Sequence, residues 1–204
     1  MGVFSYVREE TLGDHEDSVT TIEFSPDGRF MASGSEDGLL LIYSTIDWKP
    51  IRRFVDASPL TSLAWDLLSG RHLFCGFKSG DVHTIQFDPS KATSVTHYRW
   101  WGRLRGFSQI ATDVWTDSTQ GPIQFLTHHP NERELILGTG NDVLLLEYHA
   151  LGGFKTASRR KRRLPSPLPF PNFQGELPEP IGRSAQFLPE KGVVVVSYLH
   201  HGVM

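Results

Sequence analysis

The chain has 204 residues, 39% hydrophobic and 21% charged, proportions of an ordinary globular protein rather than a disordered or membrane-embedded one. A net charge of -3 gives no overall electrostatic case for binding nucleic acid or an anionic membrane. The single cysteine, Cys75, excludes an internal disulfide and a cysteine-based zinc site, and fits a reducing, intracellular compartment.

From the N-terminus, Met1 to Glu10 lacks the apolar core of a secretory signal and the Ser or Thr at position six of a myristoylation site. Within it, Val3 to Arg8 reads as a strand. A three-strand pattern then runs from Val19 to Tyr43. Its first turn is Ser25-Pro26-Asp27-Gly28, where Pro presets φ and Asp-Gly tolerates positive φ. Its second is Glu36-Asp37-Gly38, a hairpin signal. Ile51 to Val55 is the candidate fourth strand.

The pattern returns three times. In the second copy Leu60 to Trp65 ends in an aromatic like Phe24, Leu73 to Gly76 matches Met31 to Gly34, and Ser79-Gly80-Asp81 makes the turn before Val82 to Gln86. Val95 to Arg99 is its candidate fourth strand. The third copy runs from Pro122 to Tyr148, with His129-Pro130-Asn131-Glu132 in the first turn and Asn141-Asp142 in the second. It offers no clear fourth strand. The fourth copy begins at Ser184 and continues through Val193 to Tyr198, with His201-Gly202 in the place of Asp37-Gly38. The longest apolar run near the end, Gly192 to Val196, is strand-sized and too short to span a bilayer.

A repeat of about 40–45 residues built of short strands and tight turns is a propeller signature. With His15-Glu16-Asp17-Ser18-Val19 ahead of the first copy, in the place of a Gly-His loop, the sequence resembles the WD40 repeat family. The Trp-Asp pair that names the family is replaced by Tyr43-Ser44 in the first copy, and Ile85-Gln86 and Glu147-Tyr148 lie near that place in the next two. The resemblance implies an all-β fold, a β-propeller of WD40 type with about three and a half four-stranded blades present and the ring incomplete. Residues 1–10 would be a closing strand. Blades would occupy 11–57, 58–99 and 120–156, with an insertion at 100–119, a basic and proline-rich loop at 157–180, and the start of a fourth blade at 181–204. It also implies that His15, Ser33, Asp37 and Tyr43 form a structural hydrogen-bond network tying the first blade together. Those residues include a His-Asp-Ser set, but the family placement accounts for them without catalysis.

Propellers present loop-lined faces, and loops carry function. The expectation is therefore an intracellular protein-interaction scaffold, not an enzyme, whose candidate contact residues are Trp48, Trp100, Trp101 and the basic run Arg159-Arg160-Lys161-Arg162-Arg163. That run also matches a nuclear-import signal and heads an exposed loop rich in proline. Trp100-Trp101 with Arg99, Arg103 and Arg105 carries the chemistry of a nucleic-acid platform, against which stands simple packing of the insertion on a blade edge. No cofactor or metal is expected. Gly138-Thr139-Gly140-Asn141 lacks the lysine of a phosphate loop, and His128-His129 and His200-His201 read as turn residues without recurring acidic or cysteine partners. Partners would be other proteins, with missing blades supplied by a longer chain or by self-association. The alternatives are a nonfunctional or incomplete fragment of a longer propeller, and a propeller enzyme, for which the innermost strands show no converging carboxylates.

Overall fold

Short β-rich runs joined by tight turns fold in place into antiparallel ladders. The computed structural model describes residues 10–87, 113–116, 121–149, 162–165, 181–199 and 202–203. The first sheet is β1 (Val19–Phe24), β2 (Phe30–Ser35), β3 (Leu39–Ser44) and β4 (Pro50–Val55), paired in chain order. The second is β5 (Leu60–Trp65), β6 (His72–Phe77), β7 (Asp81–Gln86) and β8 (Asp113–Thr116). The third is β9 (Ile123–His128), β10 (Glu134–Thr139), β11 (Asp142–Glu147) and β12 (Arg162–Arg163). The fourth has three described strands, β13 (Ile181–Leu188), β14 (Val193–Leu199) and β15 (Gly202–Val203), with a short 3-10 turn at Pro189–Lys191.

The first strands of successive sheets lie side by side, β1 on β5, β5 on β9 and β9 on β13. Polar side chains on these strands reach across to the neighbour: Thr20 Oγ1 donates to the Leu60 carbonyl at 2.7 Å, and Thr127 Oγ1 to the Ala185 carbonyl at 2.9 Å. The core therefore lies between blades. Leu40, Ile42, Phe54, Leu63, Trp65 and Phe77 fill the first interface. Phe74, Val82, Leu126, Leu144 and Tyr148 fill the second, and Phe125, Ile136, Val143, Val196 and Tyr198 the third. Stacking buries apolar faces that a lone sheet would leave wet.

Small residues set the spacing of the stack. A Cβ on Gly76 would sit 2.5 Å from Ile123 Cγ2, on the first strand of the next blade. Gly34 stands in the equivalent place against Leu60, 2.9 Å away. Gly76→Val is thus expected to lower stability by about 1–3 kcal/mol through overpacking. A urea midpoint checks this, with Gly13→Val, whose surroundings are open, as the control that should not move.

Two expectations change. The fourth strand of the second blade is β8, so that blade extends into the stretch 100–119 taken as an insertion; Val95 to Arg99 lies outside the described residues. The third blade does have a fourth strand, β12, formed by the end of the basic run. There Arg162 pairs with Leu145 and Arg163 with Leu144, so those two residues are sheet and not loop. In the fourth blade β13 runs from Ile181, with a register shift between Gly182 and Ser184. The supposed closing strand at Val3 to Arg8 also lies outside the described residues.

Candidate functional site

Two polar networks sit at opposite ends of the strands. The first surrounds the β2–β3 turn. Asp37 caps that turn by accepting the Leu39 N–H at 2.8 Å, and its other oxygen accepts the Glu16 N–H at 2.9 Å. His15 sets Nδ1 3.3 Å from Asp37 Oδ2 and Nε2 2.7 Å from Ser33 Oγ. Burial pushes the Asp37 carboxyl up, but hydrogen bonds from Glu16, Leu39, Ser35 and His15 outweigh it and hold it below the usual carboxylate range. The Tyr43 hydroxyl donates to Asp14 Oδ2 at 3.1 Å. Burial first, then the Asp14 charge, raises this phenol, while a hydrogen bond with Ser33 opposes the rise. His15 lies within hydrogen-bonding reach of both Ser33 and Asp37, and Tyr43 turns its hydroxyl to Asp14. Ser33 is only 4% exposed, so its hydroxyl is packed beneath the sheet and closed to a substrate.

At the other end, the turn between the first and second strands of each of the first three blades is capped by the residue after the first strand. Ser25 Oγ accepts the Phe30 N–H at 3.0 Å, Asp66 Oδ1 accepts the Leu68 N–H at 2.9 Å, and His129 Nδ1 accepts the Glu132 N–H at 2.9 Å. Three different side chains serve one role because each offers an acceptor at the same reach.

Asp66 does more than cap. It is 2% exposed, and its Oδ2 accepts from Ser69 Oγ and, at 3.2 Å, from His72 Nδ1. Its Oδ1 accepts from the Tyr148 hydroxyl of the third blade at 2.9 Å. That hydroxyl in turn accepts from His128 Nε2. Burial pushes the Asp66 carboxyl up, yet the bonds from His72, Ser69, Tyr148 and the Leu68 N–H hold it well below the usual range. Burial lowers the His128 pKa, against the pull of Asp66, and burial with the Asp66 charge raises the Tyr148 phenol. His128 is therefore not a turn residue: it ends β9 and joins a bracket that locks the second blade to the third. The sequence did contain a signal, a Trp65-Asp66 pair, but at the end of a first strand rather than a third.

The bracket holds an exposed turn. Leu67 and Leu68, each 42% exposed, project beside Asp66. A cleft of about 700 Å³ lies on one side, bordered by Pro26, Arg29, Phe30, Leu68 and Arg71. Another of about 460 Å³ lies on the other, bordered by Leu68, Glu132, Arg133, Glu134, Glu147 and Tyr148.

Of the expected contact residues, Trp48 is half-buried, at φ 53°, and packs on Met31, Leu39, Leu41 and Tyr43. Its ring is thus engaged with the first blade. Arg163 pairs with Asp142. Trp100, Trp101, Arg159, Arg160 and Lys161 lie outside the described residues. Among the described residues no group of three or more His, Cys, Asp or Glu could hold a metal, and no helix is long and apolar enough to cross a membrane. Cys75 is buried, which pushes its thiol up and away from thiolate chemistry.

Comparison with known proteins supports this geometry. Residues 7–44 match the family "WD domain, G-beta repeat". A guanine nucleotide-binding protein subunit beta from Zea mays is 34% identical over 84 residues, 36% of this chain and 21% of that protein. Protein HIR1 from Kluyveromyces lactis is 58% identical over 33 residues, 16% of this chain and 4% of that protein. Among solved structures, the β-propeller domain of Cps50 (Swd1) from Myceliophteria thermophila superposes with a TM-score of 0.62 at 14% identity, over 90% of this chain and 52% of that one. A chain of the Mitotic Checkpoint Complex gives 0.64 at 14%, over 95% and 50%. The chain spans about a fifth or less of these curated relatives and about half of these solved chains.

Proposed function

We propose that the chain, whose residues 7–44 match the WD-repeat model and whose fold resembles solved β-propellers, works as a protein-interaction scaffold. The observation that carries this reading is the Leu67-Leu68 turn: two apolar side chains held out into solvent by a buried polar bracket that spans two blades. Rigid presentation of apolar groups lowers the ordering cost of association. The Ser33-His15-Asp37 alignment, by contrast, is part-buried in the first blade, where it ties loop to sheet and Ser33 itself is buried. Similar proteins are named as a G-protein subunit, a small ribosomal subunit protein and part of a checkpoint complex, each a member of an assembly.

Affinity purification of the tagged chain, with quantitative mass spectrometry of what is retained, tests the reading. Stoichiometric retention of another protein is the expected result. Retention of nothing beyond the bead control, together with ester hydrolysis abolished by His15→Ala, would replace the scaffold with an enzyme.

A further inference from the structure

We propose that the Leu67–Gly70 turn and its two flanking clefts form a polar-ended docking groove for an extended peptide segment of a partner protein. That segment would carry an apolar centre, an acidic side chain over Arg71 and a basic side chain over Glu132 and Glu134. The proposal deepens the scaffold reading and rests on it.

The apolar centre comes from Leu67 and Leu68. They are exposed while the residues just before them, Trp65 and Asp66, are buried, so the turn is pinned at its root and free at its tip. The Leu68 and Ser69 N–H groups both donate to Asp66 Oδ1, which fixes the backbone that carries the two leucines. Leu68 borders both clefts and is the ridge between them.

The charges on the two sides of that ridge differ in sign. In the first cleft Arg29 is paired with Asp27 at 2.7 Å. The Arg71 guanidinium makes no hydrogen bond or ion pair among the described residues, leaving that side positive. The second cleft sets the carboxylates of Glu132 and Glu134 against one guanidinium, Arg133, so a cation laid over them is favoured. A partner of uniform sign would gain on one side of Leu68 and lose on the other. A segment with ends of opposite sign gains on both, which makes the recognition directional.

The test uses fluorescence polarisation on the purified full chain. The probe is a labelled twelve-residue peptide with two aspartates at one end, two lysines at the other and a leucine-rich centre. Matched peptides with aspartates at both ends or lysines at both ends are the comparisons. The two-signed peptide should bind at least about tenfold more tightly than either. Leu68→Asp should weaken it by more than about tenfold, and Arg71→Glu and Glu134→Lys by about two- to fivefold each. Circular dichroism identical to wild type would confirm that these surface variants fold. Equal binding of the three peptides, or wild-type binding by Leu68→Asp, overturns the proposal. Proteins that co-purify equally with wild type and Leu68→Asp would overturn the groove and leave the scaffold standing. A wild-type chain that retains no protein removes both.

Discussion

Asp66→Ala should remove about 3–5 kcal/mol of stability, the scale on which deleting one partner of a buried charged network acts. The carboxylate is the shared acceptor for Ser69, His72, the Leu68 N–H and Tyr148, and the His72 ring and the Tyr148 hydroxyl would remain buried without it. Asp66→Asn keeps an oxygen in place and should lose less, about 1–3 kcal/mol. A double-mutant cycle with Tyr148→Phe isolates the link between blades, because the two residues are in direct contact and should couple. The same carboxylate predicts an acid limb. Its folded pKa lies below that of the unfolded chain, so the unfolded chain takes up the proton first as pH falls through about 4, and stability drops. His128 adds a shallower limb. Its folded pKa is also lowered, so unfolding is favoured as pH falls below about 6.5, where the unfolded imidazole charges. Urea unfolding between about pH 7.5 and about pH 3 should show both limbs in wild type and a flattened lower limb in Asp66→Ala. A variant as acid-sensitive below about pH 4 as wild type would remove Asp66 from this account.

Trp65→Ala should cost about as much, some 3–5 kcal/mol, for a different reason. Trp65 is fully buried at the joint between the first two blades. Its ring meets Phe87 edge-on at 5.6 Å, and Phe87 meets Phe30 of the first blade at 4.8 Å. Its indole N–H donates to the Glu23 carbonyl of β1 at 3.3 Å. Truncation therefore opens a cavity and removes a bond between the blades together. Trp65→Phe keeps most of the ring and gives up the bond, so a loss of about 1 kcal/mol is expected. Guanidinium titrations of both variants measure the difference. A loss under about 1 kcal/mol for Trp65→Ala would mean that the first blade does not unfold with the second.

The three inner strands of each blade were legible because their signals are local. Ser25-Pro26-Asp27-Gly28 announces one turn and Glu36-Asp37-Gly38 the next, and the strands between them carry their own residue preference. The fourth strands were not legible where they are short and remote. Asp113–Thr116 is joined to its partner β7 by a long connection, and Arg162–Arg163 wears the composition of a charged loop. A two-residue edge strand has no periodicity to detect. The first network followed from resemblance to a family, and the distances from His15 to Asp37 and Ser33 put those three side chains in hydrogen-bonding reach. That Tyr43 would turn its hydroxyl to Asp14 depends on the loop's path, which no spacing states. The second network was missed for a related reason. Asp66 and Tyr148 stand 82 residues apart, and only the stacking of blades brings them together. Reading His128-His129 as a pair of turn residues was half right: His129 caps its turn, while His128 belongs to the strand and the bracket.

The central claim is that the blades form one cooperative stack whose polar bracket holds a binding turn rigid. Native-state hydrogen exchange on the purified chain tests it most directly. The account predicts that amides of β2, β6 and β10 share one opening free energy, and that the Leu68 and Ser69 amides are protected beside exposed side chains and lose that protection in Asp66→Ala. Separate opening energies for the three strands, or Leu68 and Ser69 amides that exchange as freely as an unstructured loop in wild type, would contradict it.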